Sequence, residues 1–148
     1  VIALLQRVNF ARLRIDGAVH ASIDKGMLVL IGLEKTDNEA IAAQLLGKIL
    51  DYRIFADAEG RMNRSLRDIE GELMLVSQFT LAADTNSGLR PSFSRAMPPE
   101  LAREQYARLV ELAETSYDKV CSGVFAADMQ IELENDGPVT FTLQAGPH

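Results

Sequence analysis

Gly26-Met27-Leu28-Val29-Leu30-Ile31-Gly32 is an unbroken apolar run held between two glycines. A strand with one wet face would alternate, so this run predicts a strand buried on both faces. Leu73-Met74-Leu75-Val76 is a second run of the same kind, and it is expected to continue as a strand through Ser77-Gln78-Phe79-Thr80-Leu81. Working back from the first run, Val8, Phe10, Leu13 and Ile15 roughly alternate, with a break in phase near Ala11. Asp16-Gly17 supplies a hairpin turn, and Val19 and Ile23 lie on the return strand. Working forward, Ile41, Leu45 and Ile49, with Ala42 and Leu46, sit at helical spacing. Thr36 or Asp37 is the expected cap, because Glu39 follows Thr36 by three residues. Asp57-Ala58-Glu59-Gly60 reads as a turn. A second helix is predicted from Pro98-Pro99-Glu100, with Leu101, Tyr106, Leu109, Val110 and Ala113 as its apolar side. Met129–Leu133 and Val139–Leu143 alternate as two strands around Asn135-Asp136-Gly137-Pro138. The expected fold is therefore α+β: mostly antiparallel, barrel-like sheets with two main helices packed on them.

A chain of 148 residues is one domain, 1–148, with residues 146–148 expected to fray. Hydrophobic residues make up 47% and charged residues 24%, which fits a globular chain with its own core. The net charge of −6 argues against a broad basic face for DNA, but leaves room for a grip on one small part of an RNA. Cys121 is the single cysteine, so no intrachain disulfide is possible and a reducing compartment is expected. The start, Val1-Ile2-Ala3-Leu4-Leu5-Gln6-Arg7, lacks the pattern of a signal peptide, and no apolar run nears the ~18 residues of a membrane helix. A cytoplasmic protein is expected, with no membrane partner.

The residues carry few of the usual catalytic signals. The histidines are His20 and the terminal His148, and no Cys or His pair has ligand spacing, so no metal is expected. Glycine-rich phosphate loops are absent. Ser77 ends an apolar strand, as nucleophiles often do, yet no Gly-x-Ser-x-Gly elbow surrounds it and nothing ties it to His20. Ser77-Gln78-Phe79-Thr80 sets hydrogen-bonding side chains and an aromatic at a strand exit; Arg90-Pro91-Ser92-Phe93 sets a cation and an aromatic in the long loop Ala82–Pro99. Arginine with an aromatic can hold a nucleobase by stacking, though such a pair also simply anchors loops. From residues alone the choice lies between a small hydrolase and an RNA-end binder.

Ser77-Gln78-Phe79-Thr80-Leu81 and Asn135-Asp136-Gly137-Pro138-Val139-Thr140 together resemble the signature pair of the D-aminoacyl-tRNA deacylases, also called D-tyrosyl-tRNA deacylases. Gln6-Arg7-Val8, Tyr52-Arg53-Ile54-Phe55, Met62-Asn63, Arg90–Phe93 and Phe125-Ala126-Ala127-Asp128-Met129 are similar to that family as well. The segments Ala18–Lys25 and Glu114–Ser122 depart from its usual pattern, and neither touches the signature pair.

The resemblance implies an esterase of D-aminoacyl-tRNA, accepting glycyl-tRNA in part and rejecting L-esters. It implies a homodimer with its sites at the subunit interface, no cofactor, and the 3′-terminal adenosine end of tRNA as partner. Ser77, Gln78, Phe79 and Thr80 would form the catalytic strand end. Gly137 and Pro138, as a cis dipeptide reaching in from the other subunit, would select chirality with Arg7, Phe125 and Met129. Arg90, Pro91, Ser92 and Phe93 would meet the terminal adenosine. The ribose 2′-hydroxyl would assist an attacking water. The competing readings are a catalytically silent RNA-end or nucleotide-binding module and a Ser77-based esterase.

Overall fold

A computed structural model of the chain describes residues 1–147; His148 lies outside the described residues. β1 (Ile2–Ile15) turns through Asp16 and Gly17, both at positive φ, into β2 (Ala18–Ile23), which gives the hairpin twist that suits adjacent strands. β3 (Gly26–Gly32) follows, then helix α1 (Glu39–Asp51). A small hairpin of β4 (Phe55–Ala56) and β5 (Met62–Arg64) leads to the single-turn α2 (Leu66–Ile69). β6 (Glu72–Ser77), a 3₁₀ turn (Phe79–Ala82) and helix α3 (Pro99–Ser116) come next. β7 (Val120–Ser122) and the long β8 (Met129–Gln144) complete the chain.

β1 organises the sheet. Its residues Ile2–Val8 pair with β3 and Ala11–Ile15 pair with β2, while β8 runs along it antiparallel from Ile2 to Ile15. β3 pairs with β6, and β6 with β7, both in parallel. The sheet is thus mostly antiparallel, curled and nearly closed as expected, with parallel pairing confined to β3–β6 and β6–β7. The cause of the parallel pairs is the two helices: each carries the chain across the sheet, and such a crossover returns a strand in the same direction.

The twofold burial read from the apolar runs is met by two separate cores. Met27, Val29, Ile31, Leu73 and Leu75 face α1 and α3, packing on Leu45, Ile49, Tyr106 and Leu109. Leu28, Met74 and Val76 point the other way, into a second cluster with Val8, Leu13 and Ile23. Both runs are therefore dry on both sides, and neither has a face left for polar residues.

Four expectations change in detail. The cap of α1 is Asn38, whose Oδ1 accepts from the Ile41 amide at 2.9 Å. Asp37 is occupied elsewhere, accepting from the Glu34 amide at 2.7 Å. The strand after Leu73–Val76 stops at Ser77 and does not continue through Leu81. Met129–Leu133 and Val139–Leu143 are halves of one strand, which stays on β1 through register shifts between Gln6 and Phe10. Gly146, in the tail expected to fray, is half-buried.

Candidate active site

The site grows from the end of β6. The Gln78 amide still donates to the Ile31 carbonyl at 2.7 Å, so β3 holds the strand up to that point. At Gln78 the backbone swings to φ −144°, ψ 86°, and the 3₁₀ turn begins. Gly32 lies beneath it. A Cβ there would sit 2.8 Å from Leu81 Cβ and 3.1 Å from the Gln78 carbonyl oxygen, so only a glycine lets the turn close on β3. The first bond of the turn is Leu81 N–H to Gln78 O at 3.2 Å. The amides of Phe79 and Thr80 precede it and donate to no group among the described residues, as the leading N–H groups of any helical turn do. Beside them the Gln78 side-chain amide donates to the Thr80 hydroxyl.

Ser77, Gln78 and Phe79 border a cavity of about 670 Å³. It is lined by these residues together with Phe93, Phe125, Met129 and Ile131. Pro98, Pro99 and Ala102, at the start of α3, close one end. The Phe79 and Phe93 rings lie 5.1 Å apart, tilted by 51°, and stay 59% and 41% exposed. Two exposed aromatic faces this close together offer a surface for a planar ligand. Phe93 is held in place although its loop is long: Asp84 and Ser92 exchange two backbone hydrogen bonds, at 2.7 and 2.9 Å, and the Met97 amide donates to Leu33 O at 3.0 Å. Tyr106 supports Phe125 from beneath at 6.1 Å between ring centroids, and its buried hydroxyl donates to Leu75 O at 3.0 Å. Burial pushes the Tyr106 phenol well up, so it remains a protonated donor.

A second cluster forms around the Asn135–Thr140 segment. Arg7 donates from Nε to Asp136 O at 3.1 Å and from Nη1 to Ile54 O at 2.8 Å, and it pairs with the Asp136 carboxylate at 3.3 Å. Asn135 bridges the base of the loop: Oδ1 accepts from the Val139 amide at 2.7 Å, and Nδ2 donates to the Thr140 hydroxyl at 3.1 Å. Between these clamps Gly137 and Pro138 project into solvent, joined by a cis peptide bond.

The structure thus brings Ser77, Gln78, Phe79, Phe93, Phe125 and Met129 around one cavity, with Thr80 joined to it through Gln78. Arg7, Gly137 and Pro138 do not line it, and neither do Arg90, Pro91 or Ser92. His20 is exposed on β2 and makes no hydrogen bond to Ser77. Burial pushes the Cys121 thiol up to about 11, which removes it as a thiolate nucleophile near neutrality. Sequence reasoning missed Ala96, Pro98, Pro99, Ala102 and Ile131 as wall residues. Their small or apolar side chains carry no chemical signal, and only the seating of α3 reveals them.

The sequence model of the family described as D-Tyr-tRNA(Tyr) deacylase matches residues 4–144. The chain belongs to this family. It is 57% identical to the D-aminoacyl-tRNA deacylase of Pseudomonas paraeruginosa over 142 residues, covering 96% of this chain and 98% of that one. It is 52% identical to the D-aminoacyl-tRNA deacylase of Cellvibrio japonicus over 144 residues, covering 97% and 99%. Among solved structures it is similar to the c-Myc DNA unwinding element binding protein, at 34% identity and a TM-score of 0.95, covering 99% of this chain and 100% of that one. A probable eukaryotic D-amino acid tRNA deacylase superposes with a TM-score of 0.84 at 16% identity, covering 96% and 97%, and shares the deacylase fold.

Proposed function

We propose that this protein hydrolyses the ester between a D-amino acid and the 3′-terminal adenosine of tRNA, releasing the free D-amino acid and tRNA. The observation that carries this reading is the pair of free amides, Phe79 and Thr80, in a turn whose Gln78 and Phe79 line a cavity with two exposed aromatic rings. Donors fixed where negative charge develops stabilise the tetrahedral intermediate without reorganising, and removal of one such donor typically costs ~3–4 kcal/mol of barrier lowering. The ester carbonyl sits against the two amides and the adenine against the aromatic wall. Water attacks the carbonyl carbon, the C–O bond to the ribose 3′-oxygen breaks, and that oxygen takes a proton. The neighbouring 2′-hydroxyl is the group placed to assist the water. An aminoacyl ester is already activated, so positioning and an oxyanion site suffice.

Chirality is read by a second copy of the chain. D- and L-residues differ by the exchange of hydrogen and side chain at Cα. Carbonyls of Gly137 and Pro138 from the partner subunit bind the α-ammonium, and the ester carbonyl is already fixed, so one direction remains for the side chain. Main chain blocks that direction for an L-residue. The separation of Arg7, Gly137 and Pro138 from the cavity of their own chain supports a site completed in this way.

The test is paired deacylation of D-tyrosyl-tRNA and L-tyrosyl-tRNA by the purified protein, with EDTA present. Loss of the D-ester alone is expected, and glycyl-tRNA should be cleaved in part because glycine has no side chain to exclude. Equal loss of both esters would remove the chiral filter; loss of neither would leave an RNA-end binding module.

Thr80 is the obvious rival nucleophile, yet its hydroxyl accepts from Gln78 and is hydrogen-bonded to no base among the described residues. Thr80→Ala should therefore lower kcat only about 2- to 10-fold, the value of one ordinary hydrogen bond. A fall beyond about 10⁴-fold in a folded variant would make Thr80 the nucleophile.

A further inference from the structure

The cavity shares its Phe125 wall with a shallow depression on the outer side of α3, lined also by Arg103, Ser122 and Gly123. There the Arg103 guanidinium lies over the Phe125 ring, 4.9 Å from its centroid. Arg103 is exposed, and no carboxylate among the described residues comes within ion-pair distance of it. Several arginines elsewhere are neutralised: Arg7 by Asp136, Arg12 and Arg14 by Glu132, Arg67 by Asp51, and Arg108 by Glu39. Glu111 and Glu114 border the same depression but pair with nothing there. Arg90 and Arg95 likewise have no acidic partner among the described residues, and they belong to the loop that supplies Phe93 and Ala96 to the cavity. Arg53, Arg61 and Arg64 also lack a carboxylate partner among the described residues; what sets Arg103 apart is its seat on a ring that lines the cavity.

We infer that Arg103 binds a backbone phosphate of the RNA strand that leads into the cavity. The inference rests on the function proposed above, since a terminal nucleoside seated between Phe79, Phe93 and Phe125 must send its polynucleotide out past one wall. The contact with the Phe125 ring holds the guanidinium in place, and its N–H groups make no side-chain hydrogen bond among the described residues, which leaves them available to a pair of phosphate oxygens. The contact reads charge and not sequence, so it adds affinity for any tRNA. Arg103 is thereby a binding residue for the polynucleotide and takes no part in the chemical step.

The test compares two substrates, D-tyrosyl-tRNA and the D-tyrosyl ester of adenosine, which lacks the phosphate. Arg103→Gln should lose about five- to tenfold in kcat/KM on the tRNA, carried by KM. The loss on the adenosine ester should be at least fivefold smaller. The salt dependence of KM for the tRNA should flatten by about 0.7 in log–log slope, the share of one single-strand phosphate. Arg103→Lys, which keeps the charge, should restore the slope. Equal losses on both substrates, or a slope that Arg103→Gln leaves unchanged, would overturn the inference while the deacylase reading stands. If the wild-type protein cleaves neither substrate, both fall together.

Discussion

Gly26→Ala should unfold the protein or leave it barely stable. A Cβ at this position would lie 1.9 Å from the carbonyl oxygen of Glu72, 2.6 Å from its nitrogen and 2.7 Å from its carbonyl carbon. All three are main-chain atoms, so no rotamer change relieves the overlap. Gly26 opens the parallel pairing of β3 with β6, and the Glu72 amide donates to Lys25 O at 3.1 Å just beside it. Making room would pull the two strands apart where Met27 and Leu28 enter the two cores. Overpacking usually costs ~1–3 kcal/mol; a backbone clash inside a central ladder belongs beyond that range. A cost above about 3 kcal/mol would lower Tm by roughly 10 °C in a domain of this size. Gly47→Ala is the matched control. Gly47 lies on the exposed side of α1 with nothing within 4 Å of an added Cβ, so the change should stabilise by ~0.5–1 kcal/mol through helix propensity. A Gly26→Ala variant melting within 2–3 °C of wild type, about 1 kcal/mol, would show that the strands can yield.

Gly26 also marks where sequence reasoning reaches and where it stops. The run Met27–Ile31 announces burial on both faces, and two cores meet it. The bounding glycines read as strand ends, because nothing local says that β6 will pass so close. Their reason is tertiary: Gly26 admits the backbone of Glu72, and Gly32 admits the turn above it. The same gap explains Ser77–Leu81. Its residues alternate well enough for a strand, and the 3₁₀ turn wins because Gly32 leaves space beneath it. Asn135–Pro138 reads as a break between strands; in the fold β1 holds both halves, and the extra residues are taken up as register shifts. The chemistry of the site was legible as motifs, since Ser77–Thr80 and Phe93 carry polar and aromatic groups in unusual places. Arg103 was not, because its meaning depends on which side of α3 faces Phe125.

Gly137→Ala should cut kcat/KM on D-tyrosyl-tRNA by about 100-fold while leaving the fold in place, since a misplacement of ~1 Å at a positioning element is enough for such a loss. Gly137 adopts φ +131°, a conformation that L side chains rarely enter. An added Cβ would lie 2.7 Å from Val139 Cγ2, 3.1 Å from the Val139 amide nitrogen and 3.2 Å from Arg7 Nη2. Both clamps on the segment are therefore pressed at once. Val139 carries the amide that Asn135 accepts, and Arg7 carries the bonds to Asp136 O and Ile54 O. The segment has to shift, and with it the two carbonyls proposed to bind the α-ammonium. Because Gly137 and Pro138 are exposed, the strain falls on the loop and not on a core, with an expected stability loss of ~1–3 kcal/mol. The ratio of D- to L-ester cleavage is the sharper readout: a displaced block should admit the L-ester, so the ratio should fall further than stability does. A folded Gly137→Ala protein within threefold of wild-type kcat/KM, with its D-to-L ratio intact, would place chiral selection somewhere other than this segment.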